Sequence, residues 1–146
     1  MENSKKVLIV EDNLADVKLI EEAFKSSGLK SEIYFAKDGV EAIEFLYNEG
    51  KFIDAPKPDL IILDLNLPRK NGKEVLEQIK KDPNLLQIPV VILTMSPKEE
   101  DFEDCYNMYA NGYLIKPLDY DTFEKMIWKL EDYWFKFMGS HLFSGE

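Results

Sequence analysis

Residues 5–12 read K-K-V-L-I-V-E-D, and residues 59–64 read D-L-I-I-L-D. Each is a short apolar run that ends on acid. Runs of this length without polar alternation read as strands covered on both faces. The pattern recurs at Ile33-Tyr34-Phe35, in P-V-V-I-L-T from Pro89, and at Tyr113-Leu114-Ile115. Helical periodicity fills the gaps. After Asn13, a residue suited to cap a helix, Leu14, Val17, Leu19, Ile20 and Phe24 supply an apolar face, and Gly28 stops it. Asp38 caps a second helix with Val40, Ile43, Leu46 and Tyr47, which Gly50 is expected to end. A third carries Val75, Leu76 and Ile79 up to Asp82-Pro83. A fourth follows Pro97 and is acidic in its first turn, as the helix dipole favours. The last, capped by Asp119 or Asp121, aligns Phe123, Met126, Ile127, Leu130 and Trp134 on one face.

Strand and helix thus alternate five times. That order predicts an α/β fold: a doubly wound five-stranded parallel sheet with right-handed crossovers. Periodicity alone leaves the strand order open. The order 2-1-3-4-5 would set the ends of the first and third strands side by side and bring Glu11, Asp12 and Asp64 into one pocket, beyond the carboxyl ends where such folds bind ligands.

Composition narrows the function. The chain has 146 residues, the size of one ordinary domain, and 45% are hydrophobic, enough for a real core. A single domain over 1–146 is expected, with its core over about 6–137 and a frayed tail at 138–146. Formal net charge is −10, which argues against direct nucleic-acid binding and against an anionic membrane surface. No apolar stretch reaches about 18 residues, so no membrane span is expected. The sole cysteine, Cys105, rules out a disulfide within the chain and suits a reducing, cytoplasmic setting. It is read as a helix residue without a redox role. His141, the only histidine, lies in the tail, so Ser-His-Asp hydrolysis is not expected. Neither G-x-G-x-x-G nor G-K-[ST] occurs, which leaves nucleotide binding without local support.

Three carboxylates in one pocket repel each other unless something positive joins them. The sequence offers two candidates, a divalent cation and Lys116. Oxygen donors in octahedral geometry suit Mg²⁺, with Asp12 and Asp64 as direct ligands and Glu11 direct or through water. Asp64 is also the best nucleophile, since a carboxylate can accept a phosphoryl group as an acyl phosphate. Lys116, held by the Pro117 turn, supplies a compact positive charge. Thr94 ends the fourth strand with a hydroxyl near the same mouth. Gly72 follows Asn71 in a loop whose backbone shape a Cβ would hinder.

Together E-D at 11–12, L-D-L-N-L-P at 63–68, N-G at 71–72, Thr94 and K-P at 116–117 resemble the receiver domain of two-component response regulators. The likeness runs from Val7 to about Leu130. It implies the flavodoxin-like receiver fold and carries roles residue by residue. Asp64 matches the phosphoacceptor, Glu11 and Asp12 the acidic metal pair, and the Asn66 carbonyl the third protein ligand to Mg²⁺. Thr94 matches the switch hydroxyl, Tyr113 the switch aromatic, and Lys116 the invariant lysine, so that Asp64, Lys116 and Thr94 form the catalytic set. The implied partner is a sensor histidine kinase or a histidine phosphotransfer protein, and the receiver catalyses its own phosphorylation and dephosphorylation. The stretch L-P-R-K-N-G-K-E-V-L-E-Q-I-K and the aromatic W-K-L-E-D-Y-W resemble the single-domain subgroup serving cyanobacterial-type phytochrome kinases. Met95 departs from the small residue usual after the switch hydroxyl, and its bulk is expected to narrow access to the site.

The chain is expected to signal by docking, to shuttle phosphate, or to be a fragment of a longer protein. Its aromatic-rich last helix, with Tyr120, Trp128, Tyr133, Trp134, Phe135 and Phe137, suggests a partner surface or a homodimer. Two other readings compete with phosphotransfer. One is a receiver-like interaction module that works without phosphorylation. The other is a metal-dependent phosphohydrolase, which lacks an independent acid or base.

Overall fold

Parallel strands whose two faces are both apolar need helices on both sides, and this requirement sets the architecture. The computed structural model describes residues 4–138. In chain order the elements are β1 (Lys5–Val10), α1 (Leu14–Ser26), β2 (Ser31–Ala36), α2 (Gly39–Leu46), β3 (Leu60–Leu63), α3 (Gly72–Lys81), β4 (Val90–Thr94), α4 (Glu99–Asn107), β5 (Gly112–Ile115) and α5 (Tyr120–Asp132). The five strands form one sheet in the order β2-β1-β3-β4-β5, all pairs parallel.

Alternate side chains of each strand feed opposite layers. Leu8, Val10, Ile61, Leu63, Val90 and Ile92 pack with Ala42 and Phe45 of α2 and with Val75, Leu76 and Ile79 of α3. Val7, Ile9, Leu60, Ile62, Val91 and Leu93 face the other way, onto Ile20, Ala23 and Phe24 of α1 and Phe123, Ile127 and Leu130 of α5. Each such side chain, fully buried, contributes about 1.5–3 kcal/mol. The central strands β1, β3 and β4 hold most of that area.

Caps fix where the helices start. Asn13, Asp38, Asn71 and Asp119 each accept a hydrogen bond from a backbone N–H of the following first turn. At Asn71 the cap is reciprocal, because Glu74 also accepts from the Asn71 N–H at 3.0 Å. Asp119, not Asp121, caps the last helix.

Two expectations need correction, and a third is refined. Leu14 does not join the buried face of α1; at the first position of the helix it is 82% exposed, and the buried face begins further along, at Ile20, Ala23 and Phe24. Gly50 does not end α2. That helix stops at Leu46, and Asn48 takes the left-handed turn at φ 57°, its amide donating to the carbonyls of Phe52 and Ala55. Gly50 instead opens a short 3₁₀ turn over Gly50–Phe52. The aromatics of the last helix divide: Tyr120 and Tyr133 stay 38% and 46% exposed, whereas others are engaged within the chain. Trp128 donates its indole N–H to the Ala23 carbonyl at 3.0 Å, tying α5 to α1, while Trp134 and Phe135 pack on the α1/α5 core layer. After α5 the chain widens into a π-type turn at Tyr133–Met138. The tail 139–146, His141 included, and the side chain of Phe137 lie outside the described residues.

Candidate phosphoacceptor and metal site

The register of the sheet assembles the acids. Val10 pairs with Leu63, and the ladder runs one step further, with the Asp64 N–H donating to the Val10 carbonyl at 3.1 Å. On the other side of β1, the Glu11 N–H donates to Ala36 at 3.0 Å. Glu11 and Asp64 are therefore fixed by backbone bonds at neighbouring strand ends. The carboxylates of Glu11, Asp12 and Asp64 can bring oxygens within 4.8 Å of one another. Glu11 and Asp64 are buried and Asp12 is exposed. Three hard oxygen donors at that spacing fit one divalent cation of the Mg²⁺, Mn²⁺ or Ca²⁺ type.

Lys116 reaches the same point from the opposite side of β3. Its backbone N–H extends the β4–β5 ladder to the Thr94 carbonyl at 2.8 Å. Its Nζ donates to Glu11 Oε1 at 2.7 Å, Asp16 Oδ2 at 2.8 Å and Asp64 Oδ2 at 3.1 Å. One ammonium cannot offset three carboxylates. Burial pushes Glu11 up, the Lys116 hydrogen bond opposes this, and the Asp64 charge adds to it, leaving Glu11 at about 7. For Lys116, burial works against the charge, but the bonds from Asp16 and Glu11 and the charges of Glu11 and Asp64 outweigh it. Its pKa stands above the ordinary lysine value, so it stays charged.

The loop after Asp64 is shaped to hold that carboxylate. The Asn66 N–H donates to Asp64 Oδ1 at 3.3 Å. A Cβ on Gly72 would fall 2.2 Å from the Asp64 carbonyl oxygen, so close approach, rather than an unusual φ, requires glycine there. Arg69 sits at φ 66° and clamps the buried Asp38 with two bonds of 2.9 and 3.2 Å. Burial opposes the Asp38 charge, but the guanidinium and the α2 backbone hold its carboxyl below the usual range.

Thr94 is fully buried, its hydroxyl oxygen accepting from the Ser96 N–H at 3.3 Å. Tyr113 is half-buried; its hydroxyl donates to the Ser96 carbonyl at 3.1 Å and its ring meets Phe102 edge-on. Met95 is 57% exposed, so much of its bulk lies in solvent. Cys105 is buried and burial pushes its thiol up to about 11, which keeps thiolate scarce at neutral pH.

The structure brings Glu11, Asp12, Asp64 and Lys116 together and places Thr94 at the end of the next strand. Sequence reading missed Asp16, which looked like an ordinary first-turn acid. It also missed Ser96 and Lys73, whose roles depend on folding. Lys73 of α3 bonds Asp101 at 2.6 Å and Asp104 at 2.8 Å on α4, and Asp101 bonds the Ser96 hydroxyl at 2.5 Å.

Comparison with known proteins agrees with this geometry. The family model described as the response regulator receiver domain matches residues 7–128. This chain belongs to that family. Its receiver is 42% identical over 130 residues to the response regulator Rcp1 of Synechocystis sp. (strain PCC 6803), covering 89% of this chain and 88% of that protein. Among solved structures, the phosphorylated cyanobacterial phytochrome response regulator RcpA superposes with a TM-score of 0.87 at 42% identity, over 90% of this chain and 94% of the other. The Mn²⁺-bound form of Rcp1 gives a TM-score of 0.84 at 42% identity, over 89% and 94%. The acidic cluster and these likenesses support a function in receiving phosphoryl groups, and family membership implies a histidine kinase or phosphotransfer protein as partner. Among the described residues, no helix is long and apolar enough to cross a membrane.

Proposed function

We propose that Asp64 is the phosphoacceptor of this receiver, with Glu11, Asp12, Asp64 and the Asn66 carbonyl holding Mg²⁺. The observation that carries this reading is the Lys116 ammonium 3.1 Å from an Asp64 oxygen, beside two further acids. The donor is a phosphohistidine on a partner kinase or phosphotransfer protein. An Asp64 oxygen attacks phosphorus, the P–O bond forms, the P–N bond breaks, and its electron pair leaves with the imidazole. Bound Mg²⁺ supplies positive charge to the carboxylates and the incoming phosphoryl group. Lys116 donates to a phosphoryl oxygen, and the Asn66 N–H keeps the Asp64 carboxylate oriented. Thr94 and Tyr113 act as the switch: the Thr94 hydroxyl donates to the new phosphoryl oxygen, and Tyr113 follows the loop. The likeness to RcpA and Rcp1 supports a phytochrome-type kinase as the input and a cytoplasmic location where its phosphohistidine is accessible.

Mg²⁺ titration followed by amide chemical shifts tests the metal assignment. Wild type should saturate with shifts at residues 11, 12 and 64, and Asp12→Asn should bind at least several-fold more weakly. Equal affinity in the variant removes Asp12 from the ligand set.

We further infer that 1–146 acts as a single receiver domain that signals by docking, with a second copy as one partner. All five strands join one sheet, which supports a single unit. Tyr106 on α4, Tyr109 in the α4–β5 connection and Ile115 on β5 are exposed at 70%, 77% and 48%, which supports an apolar contact there. Sedimentation with and without beryllofluoride and Mg²⁺ should show dimer. A monomer at every concentration in both states rejects it.

A further inference from the structure

Lys116 is shared, and one of its three partners lies outside the metal-binding acids. Asp16 Oδ2 accepts from Nζ at 2.8 Å, against 2.7 Å for Glu11 and 3.1 Å for Asp64. The Asp16 side chain is 20% exposed, whereas that of Lys116 is 5% exposed, so the ion pair is largely screened from water. Asp16 stands in the first turn of α1, fixed there because its own N–H is capped by Asn13 at 3.0 Å. It is not one of the three residues whose oxygens cluster for a cation. An ammonium has three N–H donors, and here all three are taken, by Glu11, Asp16 and Asp64.

We propose that Asp16 is a positioning residue that competes with the phosphoryl group for Lys116 while favouring the metal. The proposal rests on the reading of Asp64 as phosphoacceptor. Two consequences follow from charge and from donor count. A phosphoryl oxygen on Asp64 needs a Lys116 N–H, and Asp16 holds one of them while its own negative charge repels the phosphoryl group. Without Asp16, Lys116 meets the phosphoryl group unopposed. Toward a cation the sign reverses. Asp16 adds negative charge near the site and occupies one of the three Lys116 N–H donors, so the ammonium's charge is shared rather than concentrated on Glu11 and Asp64. Removing Asp16 lets the ammonium settle on those two acids and compete with the cation.

Asp16→Asn is nearly isosteric and keeps the backbone N–H that Asn13 caps. Asp16→Ala serves as a second variant in which no amide can replace the carboxylate. Two affinities are read by amide shifts: Mg²⁺ alone, and beryllofluoride at saturating Mg²⁺. Both variants should bind Mg²⁺ about three- to tenfold more weakly and beryllofluoride about three- to tenfold more tightly than wild type. A merely structural role would weaken both together. Beryllofluoride affinity that is unchanged or lower in folded Asp16→Asn overturns the proposal, because Asp16 then does not compete for Lys116. If wild type itself shows no beryllofluoride shifts at Asp64, the phosphoacceptor reading fails and the proposal with it.

Discussion

Glu11 carries a pH dependence with a definite sign. In the folded protein its carboxyl is held up at about 7, against an ordinary value of 4.5. Between those values the folded state binds the proton that the unfolded state releases, so its contribution to stability is full below 4.5 and is lost as pH rises through 7. Metal-free Glu11→Gln should therefore melt at higher temperature than wild type at pH 8 and at a similar temperature at pH 4. Metal binding runs the other way, because the carboxylate must be ionised to ligate. Mg²⁺ affinity should rise about tenfold per pH unit up to roughly pH 7 and level off above it. A flat titration from pH 5 to 8 would remove Glu11 from the site. At this scale the sequence was largely legible. Glu11, Asp12, Asp64 and Lys116 end or follow strands, and a parallel sheet gathers strand ends. Asp16 was not legible, because an acid in a first helical turn is ordinary. Only the folded chain, which sets the first turn of α1 beside the residue after β5, puts it 2.8 Å from Lys116.

Between elements, the β4–α4 segment is tied down by a relay of side chains. Lys73 on α3 holds Asp101 on α4; Asp101 holds the Ser96 hydroxyl; and the Ser96 backbone meets both the Thr94 hydroxyl and the Tyr113 hydroxyl. The Asp101 carboxyl is kept below its usual range by Lys73 first and by Ser96. If Thr94 moves toward a phosphoryl group on Asp64, this loop must move with it, and the Lys73 clamp resists. Lys73→Met should therefore raise beryllofluoride affinity about two- to fivefold and enlarge the amide shifts of residues 96–104. Unchanged affinity together with unchanged shifts would mean that the clamp does not oppose the switch. None of this relay appears in the sequence pattern, since its members are separated by up to 40 positions and meet only once α3 and α4 lie side by side. The ends of α2 show a similar limit. Asn48 and Gly50 are equally good turn residues, and both adopt positive φ. The helix stops at Leu46, and the Asn48 amide, bonded to the nearby Phe52 and Ala55 carbonyls, holds the left-handed turn just beyond it.

For the whole molecule, strand type followed from apolar runs without polar alternation; bringing the acids together asks only that β1 lie beside β3, and the full order β2-β1-β3-β4-β5 was otherwise carried by the resemblance to receiver domains. Edge burial was harder to foresee. Leu14 looks like a core residue by spacing, yet at the first position of α1 it is 82% exposed. Composition does not say which aromatics of the last helix face inward: Trp128 ties α5 to α1, whereas Tyr120 and Tyr133 stay exposed. Both limits have one origin: periodicity states which face a residue takes, and only the packed neighbours state what covers that face. The sheet's purpose in this receiver is to hold Asp64, a metal-binding cluster and Lys116 in fixed relation, and that relation stands or falls on one covalent event. Intact-mass analysis after incubation with a phosphohistidine donor and Mg²⁺ reads it directly. Wild type should gain one phosphoryl group, lost on omission of Mg²⁺ and absent from Asp64→Asn. A phosphoryl group that still appears on Asp64→Asn, or none on wild type with an active donor, would contradict the account.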